Sequence, residues 1–232
     1  MAESNNLPRI DLLIFDCDGV LLDSERISCE CAAAALQSVG MQIDVETVFR
    51  RFVGVSRHTM AEQIAAEGYP VAPDFVEQLE RSITDAFERR LQSVRGAQEA
   101  LSQLALPRCV ASSSPLSYIR RGLALTGLSR FFEPHLFSAS MVSHPKPAPD
   151  LFLYAAAQMN AAPGKCLVIE DSASGVKAAN AAGMPVFWFL GGSHIDLENR
   201  PPDFDAAQAD MTVASMLELP AAIQRFSGRR SP

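Results

Sequence analysis

Basic residues are in short supply along this chain. Among 232 residues, 20 Lys and Arg face 27 Asp and Glu, no block of Lys or Arg occurs, and the formal net charge is −7. A duplex-binding surface needs a basic patch, so no nucleic acid is expected as a partner. No run approaches the ~20 apolar residues of a membrane span, so no membrane partner is expected either. Met1-Ala2-Glu3-Ser4-Asn5-Asn6 is not a signal peptide. The expectation is a soluble, cytoplasmic protein, a monomer or weak homodimer. Repeats and low-complexity segments are also missing.

Cysteine supplies no framework. The five residues Cys17, Cys29, Cys31, Cys109 and Cys166 are odd in number and scattered, as in a reducing compartment. Cys29 and Cys31 do not face each other on a helix, and no second Cys or His pair completes a zinc site. Cys17, Cys109 and Cys166 lie in or beside apolar runs and read as small core hydrophobes.

What the chain does have is carboxylates placed at the ends of apolar runs. Ile10–Phe15 reads as a buried strand leading into Asp16-Cys17-Asp18-Gly19. Alternation along an extended chain sends Asp16 and Asp18 to one side, roughly 7 Å apart. Such a pair can divide the work of nucleophile and general acid/base, and it calls for a divalent cation. Read alone, either residue serves equally as a helix cap. Gly19 permits a sharp turn.

After Ser24 the periodicity becomes helical for about seventy residues. Helices are expected over Ser24–Ser38, Val45–Phe52, Ser56–Glu67 and from Pro73-Asp74 onward, the last with Phe75, Leu79, Ile83 and Phe87 on one face. A helical block between strand-bearing regions reads as an inserted cap domain, residues 23–94. The α/β core is then residues 1–22 and 95–232. In its second part strands at Arg108–Ser112, Leu136–Ser138, Cys166–Ile169 and Val186–Leu190 alternate with helices. That pattern predicts a Rossmann-like parallel sheet covered on both faces, with ligands beyond the strands' carboxyl ends. The tail Phe226–Pro232 reads as frayed.

Three further segments carry chemistry. Ser112-Ser113-Ser114 ends a strand, where serines also commonly cap helices. Lys146 lies between prolines in His144-Pro145-Lys146-Pro147-Ala148-Pro149-Asp150, which stiffens its backbone. Glu170-Asp171 ends a buried strand, where adjacent carboxylates repel without a cation. Mg²⁺ takes octahedral oxygen coordination with few protein carboxylates. Asp16, the backbone carbonyl of Asp18 and Asp171 suit that shell, with Glu170 direct or through water.

Asp16–Ser24, Ser112, Lys-Pro-x-Pro-Asp and Glu170–Val176 together resemble, in order, the four motifs of the haloacid dehalogenase (HAD) superfamily of aspartate-nucleophile phosphotransferases. The resemblance covers about residues 8 to 220. It implies Asp16 as nucleophile, Asp18 as acid/base, Ser112 holding phosphoryl oxygens with Ser113 beside it, Lys146 paired with the nucleophile, and a metal at Asp16, Asp18, Glu170 and Asp171. The helical insertion is similar to that of the β-phosphoglucomutase-like phosphatase branch. There Gly54-Val55-Ser56-Arg57 matches a cap signature whose arginine reaches the substrate's far anionic group, which makes Gly54 and Arg57 substrate-binding candidates. The alternative for Arg57 is a solvated charge near a helix start.

The departures bear on the reaction. Mutase relatives carry a histidine where this chain has Ser28, and Lys-Asn where it has Pro115-Leu116. Losing those groups argues for hydrolysis, with a β-phosphoglucomutase as the alternative. A dehalogenase needs neither Asp18 nor the acidic pair, and an inactive scaffold is expected to lose a motif. The implied function is a Mg²⁺-dependent phosphatase acting on a sugar phosphate or phospho-sugar acid such as 6-phosphogluconate. Val48–Val55 and Phe15–Asp18 are similar to the strings of bacterial phosphatases of that compound.

Overall fold

The computed structural model describes residues 9–52, 55–195 and 208–228. Its first strand, β1 (Leu12–Phe15), is buried along its whole length, as a central parallel strand must be. The chain then enters a helical unit of α1 (Glu25–Ser38), α2 (Val45–Phe52), α3 (Arg57–Ala66) and α4 (Phe75–Arg90). It returns as α5 (Ala97–Gln103), β2 (Arg108–Ser112), α6 (Leu116–Leu125), α7 (Ser129–Phe132), β3 (Leu136–Ser138) and α8 (Asp150–Gln158). β4 (Cys166–Glu170), α9 (Ala173–Ala181), β5 (Val186–Phe189), β6 (Met211–Val213) and α10 (Leu219–Ser227) follow. The chain divides into two compact units, Met1–Asp23 with Gln92–Pro232, and Ser24–Leu91.

Six strands form one all-parallel sheet in the order β3-β2-β1-β4-β5-β6. The chain leaves β1 to build the sheet first on one side and then on the other. β1 therefore marks the switch point where α/β sheets place their ligands. On one face, Leu12, Ile14, Ala111, Val168 and Trp188 pack against Phe152 and Ala155 of α8 and Val176 and Ala179 of α9. On the opposite face, Phe15 meets Phe132 of α7 edge-on at 5.6 Å, and Phe187 meets Phe226 of α10 at 5.1 Å. Edge-to-face geometry adds about 0.5–1.5 kcal/mol per pair beyond area burial.

The helical unit has its own core. Phe75, Leu79, Ile83 and Phe87 form the buried stripe of α4. Arg90 of α4 pairs with Glu30 of α1 at 2.8 Å, and the Cys31 thiol lies 3.8 Å from the Ser82 carbonyl. Ser56 caps α3, its hydroxyl accepting from the Thr59 N–H at 3.1 Å.

The structure corrects or extends several local readings. Asp150 is the first residue of α8, and its carboxylate pairs with His144 Nδ1 at 2.9 Å. Phe226 belongs to α10, which runs to Ser227 because Leu219, Ala222, Ile223 and Phe226 recur at helical spacing against the sheet. The short edge strand β6 carries an exposed Thr212 and two neighbours too few to show a period, so no pattern announces it. No described helix is long and apolar enough to cross a membrane. All five cysteines are free and buried.

Packing at Phe132 is a direct test of the second sheet face, because the ring is 1% exposed. Phe132→Ala is expected to cost about 3–5 kcal/mol, read as a shift in the urea unfolding transition. A shift under about 1 kcal/mol is the surface-substitution result and would contradict the packing.

Candidate active site

Parallel register brings the polar residues together. Phe15 pairs with Val110 of β2 and Ile169 of β4, so the next residues along the central strands are Asp16 and Glu170, with Ser112 two beyond Val110. The Asp16 N–H continues the ladder by donating to the Ile169 carbonyl at 2.9 Å. Beyond Asp16 the chain turns tightly, with the N–H groups of Leu21 and Leu22 both donating to the Cys17 carbonyl at 2.9 Å. Gly19 has φ +74°, and a Cβ there would fall on the Asp171 carboxylate. Both the backbone angle and the space demand glycine.

Lys146 reaches this point from the loop before α8. Its Nζ donates to Asp16 Oδ1 and Glu170 Oε1, each at 2.7 Å, and its side chain is only 4% exposed. Burial disfavours the ammonium, but the Asp16 and Glu170 carboxylates outweigh it and raise the Lys146 pKa above its ordinary value. The Phe152 ring lies 4.9 Å below Nζ. Glu170 is held at its other oxygen by the Ser172 N–H and hydroxyl, at 2.8 and 2.9 Å. A Cβ at Gly175 would collide with the Glu170 carboxylate, so the α9 start is cut away to admit it.

Asp16, Glu170 and Asp171 present ligand atoms all within 4.8 Å of one another. Burial first, then the neighbouring carboxylates Glu170 and Asp171, push the Asp16 pKa well up, opposed by Lys146. Burial likewise raises Asp171, opposed by His194 and reinforced by Glu170. Three clustered carboxylates share one ammonium, Lys146, so the cluster carries more acidic than basic groups. An all-oxygen donor set of this kind fits a hard divalent cation, which would offset that excess.

Asp18 has a different setting. Its carboxylate accepts from Ser114 Oγ at 2.7 Å and from the Tyr118 hydroxyl at 2.8 Å. Ser112 is buried and its Oγ accepts from the Ser114 N–H at 3.1 Å, shaping the turn into α6; Ser113 is exposed. Cys17, between the two aspartates, has its thiol pushed well up by burial and by Asp18 and Asp16, so it stays protonated. Arg57 opens α3 and lies 3.9 Å from Glu80 of α4. Gly54 falls outside the described residues.

Three partners escaped sequence reasoning. Ser114 and Tyr118 lie two and six residues beyond Ser112, the first in the turn that leads into α6 and the second in the first turn of that helix. His194, after the Gly191-Gly192 strand stop, places Nε2 at 3.1 Å from Asp171 Oδ2. Its spacing from the other segments follows no pattern, and only the sheet order brings it in.

Comparison with known proteins gives the family. The family model for haloacid dehalogenase-like hydrolases matches residues 10–183. The chain is 32% identical over 190 residues to a 6-phosphogluconate phosphatase of Escherichia coli K12, covering 81% of this chain and 86% of that one. It is 30% identical over 183 residues to a fructose-1-phosphate phosphatase of the same organism, covering 74% of this chain and 92% of that one. Among solved structures, a conserved haloacid dehalogenase-like protein of unknown function from Agrobacterium tumefaciens superposes with a TM-score of 0.85 at 36% identity, covering 94% of this chain and 99% of that one.

Removing the ammonium from this cluster strands two buried carboxylates side by side. Lys146→Met is expected to destabilise the metal-free protein by about 3–5 kcal/mol, the cost of breaking a buried pair by deleting one partner. Thermal unfolding in chelator measures it. A variant as stable as wild type there would mean that the pair contributes nothing to the fold.

Proposed function

The chain belongs to the haloacid dehalogenase-like hydrolase family and is a phosphoric monoester hydrolase of it, and we propose that it dephosphorylates a small sugar phosphate or phospho-sugar acid, such as 6-phosphogluconate, through an aspartyl-phosphate with Mg²⁺ as cofactor. The observation that carries the reading is the contrast between two aspartates two residues apart. Asp16 is buried against Lys146, whereas Asp18 is half-buried and held by two hydroxyls. A nucleophile and an acid/base need unlike settings of this kind.

In the proposed sequence, a free Asp16 oxygen attacks phosphorus in line while Oδ1 stays on Lys146. The phosphorus–oxygen ester bond breaks and Asp18 gives its proton to the leaving alkoxide. Asp18 then takes a proton from water, which attacks the aspartyl-phosphate, releasing phosphate and regenerating Asp16. Lys146, Ser112 and nearby backbone N–H groups offset charge on the phosphoryl oxygens. Asp16, the Asp18 carbonyl and Asp171, with Glu170 direct or through water, would hold Mg²⁺, which when bound would supply charge neutralisation at the phosphate.

A panel of phosphorylated sugars and sugar acids, assayed for phosphate release, tests the reading. Turnover is expected with Mg²⁺, none in chelator, and little with Ca²⁺, whose looser shell misplaces the nucleophile. Asp16→Asn should remove activity with an unchanged circular-dichroism spectrum, and appreciable turnover in that variant sinks the assignment. Isomerisation of a sugar phosphate without phosphate release would favour the mutase alternative.

Arg57 is the proposed contact for the substrate's distal anion. Arg57→Ala should lower kcat/KM for anionic sugar phosphates about tenfold to a hundredfold, the equivalent of roughly 1.5–3 kcal/mol for one charge-assisted hydrogen bond. A small aryl phosphate should be barely affected. Equal losses on both substrates mean that Arg57 acts on its own helical unit through Glu80 instead.

A further inference from the structure

His194 lies in none of the four motif segments, yet its imidazole is 6% exposed and points at Asp171. The space it fills is built for it. Its Cε1 lies 2.7 Å from where a Gly19 Cβ would be and 2.5 Å from where a Gly192 Cβ would be. The loop carrying it is pinned by Asp23, whose Oδ1 accepts from the Ser193 N–H at 3.2 Å and the Ser193 hydroxyl at 2.7 Å. Asp171 is held from a second direction, where Trp188 Nε1 donates to its backbone carbonyl at 3.1 Å. The imidazole stands outside the trio Asp16, Glu170 and Asp171, whose ligand atoms cluster within 4.8 Å. It touches a candidate ligand without joining the set.

We propose that His194 is a positioning residue for the metal site: Nε2–H donates to Asp171 Oδ2, fixes the plane of that carboxylate, and thereby sets how tightly the divalent cation binds. Fixing one oxygen fixes the direction of the other. Hydrogen-bond partners of ligating carboxylates act on metal affinity in this way. The Asp23–Ser193 clamp then serves the same end by holding the loop. The inference rests on the metal-site reading given above.

Mg²⁺ binding to the full-length protein, measured by titration calorimetry without substrate, tests it. His194→Ala should weaken the dissociation constant roughly 10–100-fold, with the melting temperature in chelator little changed. His194→Gln, which keeps an N–H donor on a side chain of similar reach, should recover part of the loss. In turnover, the Mg²⁺ concentration for half-activation should rise while kcat at saturating Mg²⁺ stays near wild type. Asp23→Ala should weaken Mg²⁺ less, and combining it with His194→Ala should add almost nothing, because both act through one loop. Wild-type affinity in both His194 variants overturns the inference alone. Absence of any Mg²⁺ binding by the wild-type protein overturns the metal-site reading and the inference together. If His194→Ala fails to fold, an unchanged affinity in His194→Gln and Asp23→Ala overturns it equally.

Discussion

The Lys146 ammonium, buried between Asp16 and Glu170, is the constraint around which the site is arranged. Two ionised carboxylates at the ends of neighbouring parallel strands are costly to bury together, and the Lys146 ammonium between them offsets that cost. Its position in turn depends on Pro145 and Pro147, which limit the loop's backbone, and on Phe152, whose ring forms the floor beneath Nζ. The same α8 residue fills the sheet core, so packing and charge compensation meet in one side chain.

Around that pair, each acidic group has a distinct set of partners. Glu170 is committed at both oxygens, to Lys146 on one and to the α9 cap residue Ser172 on the other. Asp171 is tied to His194, and Asp18 to Ser114 and Tyr118. The four carboxylates are thereby made chemically unequal by their different partners. Division of labour between identical functional groups requires that inequality. Glycine supplies the room: Gly19 and Gly175 stand where any side chain would displace Asp171 or Glu170.

Much of this was legible in the residues. The buried strands β1, β2 and β4 announced themselves as apolar runs, and the α4 stripe at every fourth residue announced a helix. Asp16, Ser112 and Glu170-Asp171 stood out because each ends such a run, and Lys146 because prolines flank it. β6 and the full extent of α10 were not, since a three-residue edge strand has too few positions to show alternation and the tail's polar residues masked the apolar spacing of Phe226.

What the sequence determined by itself was local: strand or helix from periodicity, turns from glycine and proline, and which carboxylates stand at strand ends. Those features depend on neighbours within a few residues, where the chain's own geometry decides the outcome. Only the tertiary structure decided which oxygen Lys146 reaches, that Tyr118 and Ser114 hold Asp18, and that His194 lies against Asp171. Those pairs span 23 to 130 residues of chain. Their meeting follows from the sheet order, which places β1 between β2 and β4, and no spacing along the chain encodes it.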